Sequence, residues 1–281
     1  MIIETARAKV NLALHVVGRR ADGFHDLDSI VVFADIGDRL TLTPAEDWSL
    51  DVEGPFAGSL DASPENLALR AALALERLLP GRIGPARLRL EKNLPVASGI
   101  GGGSADAAAV IRGLLALAGI ALQAVALDPL AVQLGADVPV CLYGKACRMS
   151  GMGERLANLE DVPGMPAVLV NPGVPISTAQ VFGRLALAPG QAAFAPIPPR
   201  QDDFLSWLAA CRNDLEGPAE ELVPAVRMAL RELMEAKDCR LARMSGSGAT
   251  CFGIFAGRQA ADSAAQAFRA RGWWAEPTVL G

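Results

Sequence analysis

Gly99, Gly101, Gly102 and Gly103 stand just ahead of an alanine-rich run, Ser104-Ala-Asp-Ala-Ala-Ala-Val-Ile-Arg-Gly-Leu-Leu115. Glycine has no Cβ, so its backbone N–H groups can be turned toward a bulky anion at close range. Ser104 is expected to cap a helix over the run that follows. The free N–H groups and positive dipole end of such a helix favour a phosphate. With Pro95, Val96, Ala97, Ser98 and Ile100, these residues read as a phosphate cradle for a nucleotide. The competing reading is a glycine-rich turn with no ligand. Neither common phosphate fingerprint fits. No G-x-x-x-x-G-K-[ST] occurs, and Gly99-Ile-Gly-Gly-Gly-Ser104 ends in serine where G-x-G-x-x-G needs glycine.

Three other places carry reactive residue types. Lys9 and Asn11 are two apart on a strand-like segment and so share one face. That placement suits charge stabilisation, and the alternative is a solvated face. Asp137 lies in Gly135-Ala-Asp-Val-Pro139, where a carboxylate can cap a helix or accept a hydroxyl proton. Phe24 and His25 sit in a turn after Arg20-Ala-Asp-Gly23. An aromatic face there can stack on a base, and an imidazole can read its polar edge. An ordinary exposed loop would look the same. Phe182 is a candidate second wall for that base or a core side chain.

The elements that must hold these residues alternate in kind. Ile2 to Val17, Leu27 to Ala34 and Arg39 to Thr43 read as strands, with a turn at residues 19–23. Asn66 to Leu79 reads as an amphipathic helix. Arg87 to Lys92 alternates as a strand and leads into the glycine loop, and a short helix over Pro129 to Leu134 precedes Asp137. Beyond residue 150 the pattern gives a buried strand at Ala167 to Val170 and a surface loop at Ala188 to Pro199. Helices follow at Phe204 to Arg212 and Leu222 to Ala236. Leu241 to Met244 and Thr250 to Phe255 read as strands flanking the glycine turn Ser245-Gly-Ser-Gly-Ala249. A helix from about Arg258 to Ala270 and a strand near Trp273 close the chain. Strands and segregated helices of this kind indicate an α+β fold. The expected division is 1–155 and 156–281.

The net charge of −5 argues against broad nucleic-acid binding, which requires many phosphates to be neutralised. The five cysteines include no C-x-x-C pair, so a disulfide framework or zinc site is not expected, and a reducing cytoplasm is. Glu4, Arg7 and Lys9 do not fit a signal peptide. The longest apolar run, residues 113–122, is too short to span a bilayer.

Taken in order, Ala8-Lys-Val-Asn-Leu-Ala-Leu14, the Pro95 to Asp106 loop and Met244-Ser-Gly-Ser-Gly-Ala-Thr-Cys-Phe252 resemble the GHMP small-molecule kinase family. Arg20 to His25, Gly135 to Pro139 and Asn213-Asp-Leu-Glu216 are similar to members whose acceptor carries a cytidine diphosphate. This resemblance implies a two-domain α+β fold with the active site between the domains, ATP as phosphoryl donor and a Mg2+ requirement. It implies that Lys9 lies by the reacting hydroxyl, that Asn11 helps hold the acceptor, and that Asp137 is the catalytic aspartate. It places cytosine against Phe24, His25 and Phe182. Lys92 and Asn66 would border the adenosine pocket, or be surface residues. Asp106 would serve the helix dipole or help hold Mg2+, and the metal ligands stay unassigned. The chain has Phe24 and Ile100 where many relatives carry Tyr and Leu. Two rival functions are a kinase of the same fold with another acceptor and a non-catalytic nucleotide-binding protein.

Overall fold

The computed structural model describes residues 1–60, 63 and 65–281. The chain begins with β1 (Ile2–Arg19), β2 (His25–Pro44) and β3 (Ser49–Glu53). There follow α1 (Leu67–Leu78), β4 (Ala86–Glu91), α2 (Gly102–Leu117), α3 (Asp128–Leu134) and α4 (Val138–Tyr143). Then come β5 (Cys147–Gly151), β6 (Arg155–Asn158), β7 (Met165–Asn171), α5 (Thr178–Arg184) and α6 (Phe204–Ala209). The chain closes with α7 (Glu216–Leu222), α8 (Pro224–Glu235), β8 (Cys239–Met244), β9 (Cys251–Phe255), α9 (Arg258–Arg269) and β10 (Trp274–Leu280). None of the helices among the described residues is long and apolar enough to cross a membrane.

Two compact units are interleaved along the chain. The first comprises residues 1–8, 36–96 and 101–144; the second comprises 9–35, 97–100 and 145–281. In the first unit β3 runs parallel to β4, and β4 pairs antiparallel with the second half of β2. Period-2 alternation turns Leu40 and Leu42 of β2 and Leu88 and Leu90 of β4 to a buried face. Helices α1 to α4 pack on one another, with Ala71, Ala72 and Leu75 of α1 and Ala107 to Ile111 of α2 buried. In the second unit β10, β7, β9 and β8 form an antiparallel sheet, and β5 pairs with the first half of β2 and with β6. Apolar residues of β7 and β9 join Val226, Leu233, Ala261 and Phe268 of α8 and α9 in a second core.

Most expected elements form, with instructive departures. The gap expected between residues 34 and 39 is continuous strand, because Asp35 and Asp38 find tertiary partners. The Asp35 carboxylate accepts hydrogen bonds from Thr278 and from Val279 N at 3.0 Å. The helix expected over 222–236 is split, since Pro224 has no N–H and occupies the first turn of α8. Helix α2 starts two residues before Ser104, with Gly101 in the left-handed region at its N-cap (φ 66°). Ser104 is therefore no cap.

Candidate phosphate-loop and acceptor sites

In the second unit the strand β1 turns Lys9 and Asn11 inward, and both are buried. They are not on a solvated face. Lys9 Nζ donates to Asn11 Oδ1 at 2.9 Å, and Asn11 Nδ2 donates to Ser29 Oγ at 2.7 Å. Ser29 Oγ in turn donates to Ala13 O at 2.6 Å. The Asn11 amide is thereby oriented at both ends, which fixes the Lys9 ammonium it receives.

The crest of the glycine loop, residues 97–100, belongs to this same unit. Lys9 N donates to Ile100 O at 3.0 Å, and Thr250 N donates to Ser98 O at 3.1 Å. Ser245 Oγ accepts from Asn11 N at 3.1 Å and donates to Gly99 O at 3.1 Å. The two glycine turns meet backbone to backbone. A Cβ on Gly99 (φ 78°) would lie 2.5 Å from Ser245 O, and one on Gly246 would lie 2.8 Å from Gly99 O. The second turn thus acts as a seat for the crest of the first.

At residues 24–25 the expected pairing is rearranged. His25 and Phe182 face each other, ring centres 4.7 Å apart and tilted by 30°. Phe24 is 62% exposed, so it does not form a closed sandwich with Phe182. Burial and the nearby Arg19 charge push the His25 imidazole below its ordinary pKa. The ring is neutral at pH 7 and offers one donor and one acceptor. Ser247 Oγ lies 2.8 Å from Thr178 Oγ1, which ties the second glycine turn to α5, the helix that carries Phe182.

The first unit holds Pro95, Val96, Gly101 to Ser104, Lys92, Asn66 and Asp137. Lys92 is buried, not a surface residue. It extends the inward face of β4 by one more step after Leu88 and Leu90, as Asp38 precedes Leu40 and Leu42 on β2. Continuing the Arg39↔Glu91 register by one residue sets Asp38 opposite Lys92. Lys92 Nζ bonds Asp38 Oδ2 and donates to Asp106 Oδ2 at 2.7 Å. Asp38 Oδ1 also accepts from Asn93 N at 2.6 Å and Leu94 N at 2.8 Å. Burial alone would lower the Lys92 pKa, but the Asp106 and Asp38 charges raise it above its ordinary value. Burial dominates for Asp106 and pushes its carboxyl up to about 7.

Asp106 is thus an ion-pair partner in the second turn of α2, not a first-turn dipole residue. Gly102 has a helical φ, and what excludes a side chain there is Lys92 Nζ, 3.2 Å from the position of a Cβ. Asn66 caps α1, its Oδ1 accepting from Ala68 N at 3.0 Å. Asp137 precedes α4 without a side-chain capping bond. Asp38 escaped the sequence reading, although a lone carboxylate in phase with Leu40 and Leu42 was its signal. Asn213, which supports the second glycine turn, stands in the sequence reading only within the motif Asn213-Asp-Leu-Glu216, with no role of its own.

A strand-to-helix glycine loop thus has its crest on a second glycine turn, beside a buried lysine–asparagine pair. Residues 66–145 match the model of the GHMP kinases N terminal domain, and residues 200–272 match that of the GHMP kinases C terminal. The chain belongs to the GHMP kinase family. It is 51% identical to the 4-diphosphocytidyl-2-C-methyl-D-erythritol kinase of Parvibaculum lavamentivorans, over 100% of this chain and 98% of that one. A relative of the same name from Methylobacterium radiotolerans is 50% identical over 100% and 99%. A crystal structure of 4-(cytidine 5'-diphospho)-2C-methyl-D-erythritol kinase superposes with a TM-score of 0.83 at 36% identity, covering 100% of this chain and 99% of that one. A homoserine kinase from Cytophaga hutchinsonii shares the fold, with a TM-score of 0.68 at 19% identity over 99% and 93%.

Proposed function

We propose that this chain transfers the γ-phosphoryl group of ATP to the 2-hydroxyl of 4-diphosphocytidyl-2-C-methyl-D-erythritol. The products are the 2-phosphate and ADP, in the non-mevalonate route to isoprenoid precursors. The observation that carries the reading is the joint anchoring of Asn11 and the glycine-loop crest by one hydroxyl, that of Ser245, with Lys9 N bonded to Ile100 O of the same crest. Relatives of full length that bear the name of this activity support the choice of acceptor.

The roles follow from the chemistry. Backbone N–H groups of residues 96–104, which follow Pro95, receive the ATP phosphates, with Lys92 and Asn66 bordering the adenosine. The acceptor oxygen forms a bond to the γ-phosphorus as the bond from that phosphorus to the β-bridging oxygen breaks. Asp137 orients the acceptor hydroxyl and takes its proton, while the Lys9 ammonium stabilises charge on the transferring group. Asn11 holds the acceptor. His25, Phe182 and the exposed Phe24 receive the cytosine, the neutral imidazole reading its edge.

Mg2+ belongs to the same proposal. Asp106 Oδ1 is a buried oxygen with no hydrogen-bond partner, while both Asp38 oxygens are used. Mg2+ keeps several waters and needs few carboxylates, so Asp106 is the residue that fits it. When bound, the ion would offset the negative charge of the ATP phosphates. A cytoplasmic location and a boundary near residue 155 complete the reading, the latter in keeping with the matched spans 66–145 and 200–272.

The test is acceptor dependence. Binding energy from the remote base holds the reacting hydroxyl in line. ATP consumption should therefore require the cytidylyl acceptor, with kcat/KM at least about 100-fold above that for bare methylerythritol 4-phosphate. Similar kcat/KM for the two would refute cytidine recognition. No transfer to either would refute the kinase assignment.

A further inference from the structure

The segment from Arg212 to Glu216 lies against β1 on one side and the second glycine turn on the other. Leu14 N donates to Arg212 O at 3.0 Å, Asp214 N donates to Leu14 O at 2.9 Å, and Val16 N donates to Asp214 Oδ2 at 2.7 Å. From this docked backbone the buried Asn213 side chain reaches the turn. Its Nδ2 donates to Met244 O and to Gly246 O, both at 2.8 Å, while Leu215 N holds its Oδ1 at 3.0 Å. Gly246 is the residue that packs on Gly99 O, and Ser245 beside it bonds both Asn11 N and Gly99 O. A closed ring of hydrogen bonds results, running from β1 through Asn213 and Ser245 and back to β1 at Asn11.

We infer that Asn213 is a positioning residue, which sets the height of the Ser245–Gly248 turn and, through it, the phosphate-loop crest relative to Lys9. The inference rests on the kinase reading. Only an amide serves here. One oxygen must accept from Leu215 N while two N–H groups meet two carbonyls, and a carboxylate would set like charges against those carbonyls. A misplacement of about 1 Å at such a seat can cost about 100-fold in rate without touching substrate.

The experiment compares steady-state kinetics of wild type, Asn213→Ala, Ser245→Ala and the double variant, with ATP and the cytidylyl acceptor. Asn213→Ala should lower kcat about 10- to 100-fold and leave the acceptor KM within about threefold. Because both residues act through one turn, the double variant should be no slower than about threefold below the worse single variant. If Asn213→Ala fails to fold, Asn213→Asp decides. Its activity relative to wild type should rise as pH falls from 8 to 6, since the protonated acid can again donate to one carbonyl. Folded Asn213→Ala with kcat within twofold of wild type, multiplicative losses in the double variant, or a flat relative pH profile for Asn213→Asp would overturn the inference. Wild-type turnover is the control: its absence would instead strike the kinase reading.

Discussion

Lys9 and Lys92 are both buried, and both are tied to the glycine-rich loop, Lys92 by leading into it along the chain and Lys9 through its N–H on Ile100 O, yet their side chains bond different groups. Lys92 lies against two carboxylates, Asp38 and Asp106, in the first unit. Lys9 donates to the neutral amide oxygen of Asn11 in the second. A lysine between two carboxylates serves first to neutralise them, and it ties β2 and β4 to the start of α2. A lysine held by an oriented amide is aimed, and its ammonium can answer charge that develops on a substrate. Similar burial thus suits two duties, a structural clamp for Lys92 and, in the proposed mechanism, a reacting-site cation for Lys9.

Breaking the clamp should give the largest change. Lys92→Met leaves Asp38 and Asp106 buried without their cation, and loss of one partner of such a cluster costs about 3–5 kcal/mol. Urea unfolding at pH 8 checks this, and a loss below about 1 kcal/mol would show that the clamp does not bear on stability. The cost is one of desolvated charge, so a shortened side chain of similar polarity would not mimic it.

A smaller effect sharpens the same contrast through pH. Burial raises the Asp106 carboxyl from 3.8 to about 7, so the folded state binds a proton that the unfolded state releases. Its contribution to stability is greatest below pH 4 and is lost as pH rises through 7. The stability difference between wild type and Asp106→Asn should therefore shift against wild type between pH 5 and pH 8. Unfolding curves at unit intervals of pH read it, and a constant difference would contradict the assignment.

The sequence carried this contrast only in part. The inward alternation of Leu88, Leu90 and Lys92 was legible as a strand, as was the amphipathic run after Asn66. What stayed hidden was that Asp38 lies opposite Lys92, because Asp35-Ile-Gly-Asp38 has turn-like composition and its partners are remote in sequence. Phe24, His25 and Phe182 were found as a group, but local pattern does not say which aromatic faces which. The glycine loop was visible at once. Its seat, Ser245 to Ala249, was legible as a glycine turn, but only the family resemblance implied that it supports the loop, since the contacts of Gly99 with Ser245 and Gly248 depend on chain segments about 145 residues away. Secondary structure follows local chemistry, whereas the clamp and the seat are long-range pairings.

The most direct measurement is single-turnover phosphoryl transfer from ATP to 4-diphosphocytidyl-2-C-methyl-D-erythritol by Lys9→Met, with ATP affinity and unfolding measured on the same protein. The transfer rate should fall about 100- to 1,000-fold, the scale of losing one preorganised electrostatic partner. ATP affinity should stay within a few-fold of wild type. The variant should remain folded, and leaving the Asn11 oxygen without this donor costs about 1–3 kcal/mol of its stability. A folded Lys9→Met protein that transfers phosphate at the wild-type rate would remove Lys9 from the reaction and contradict the account.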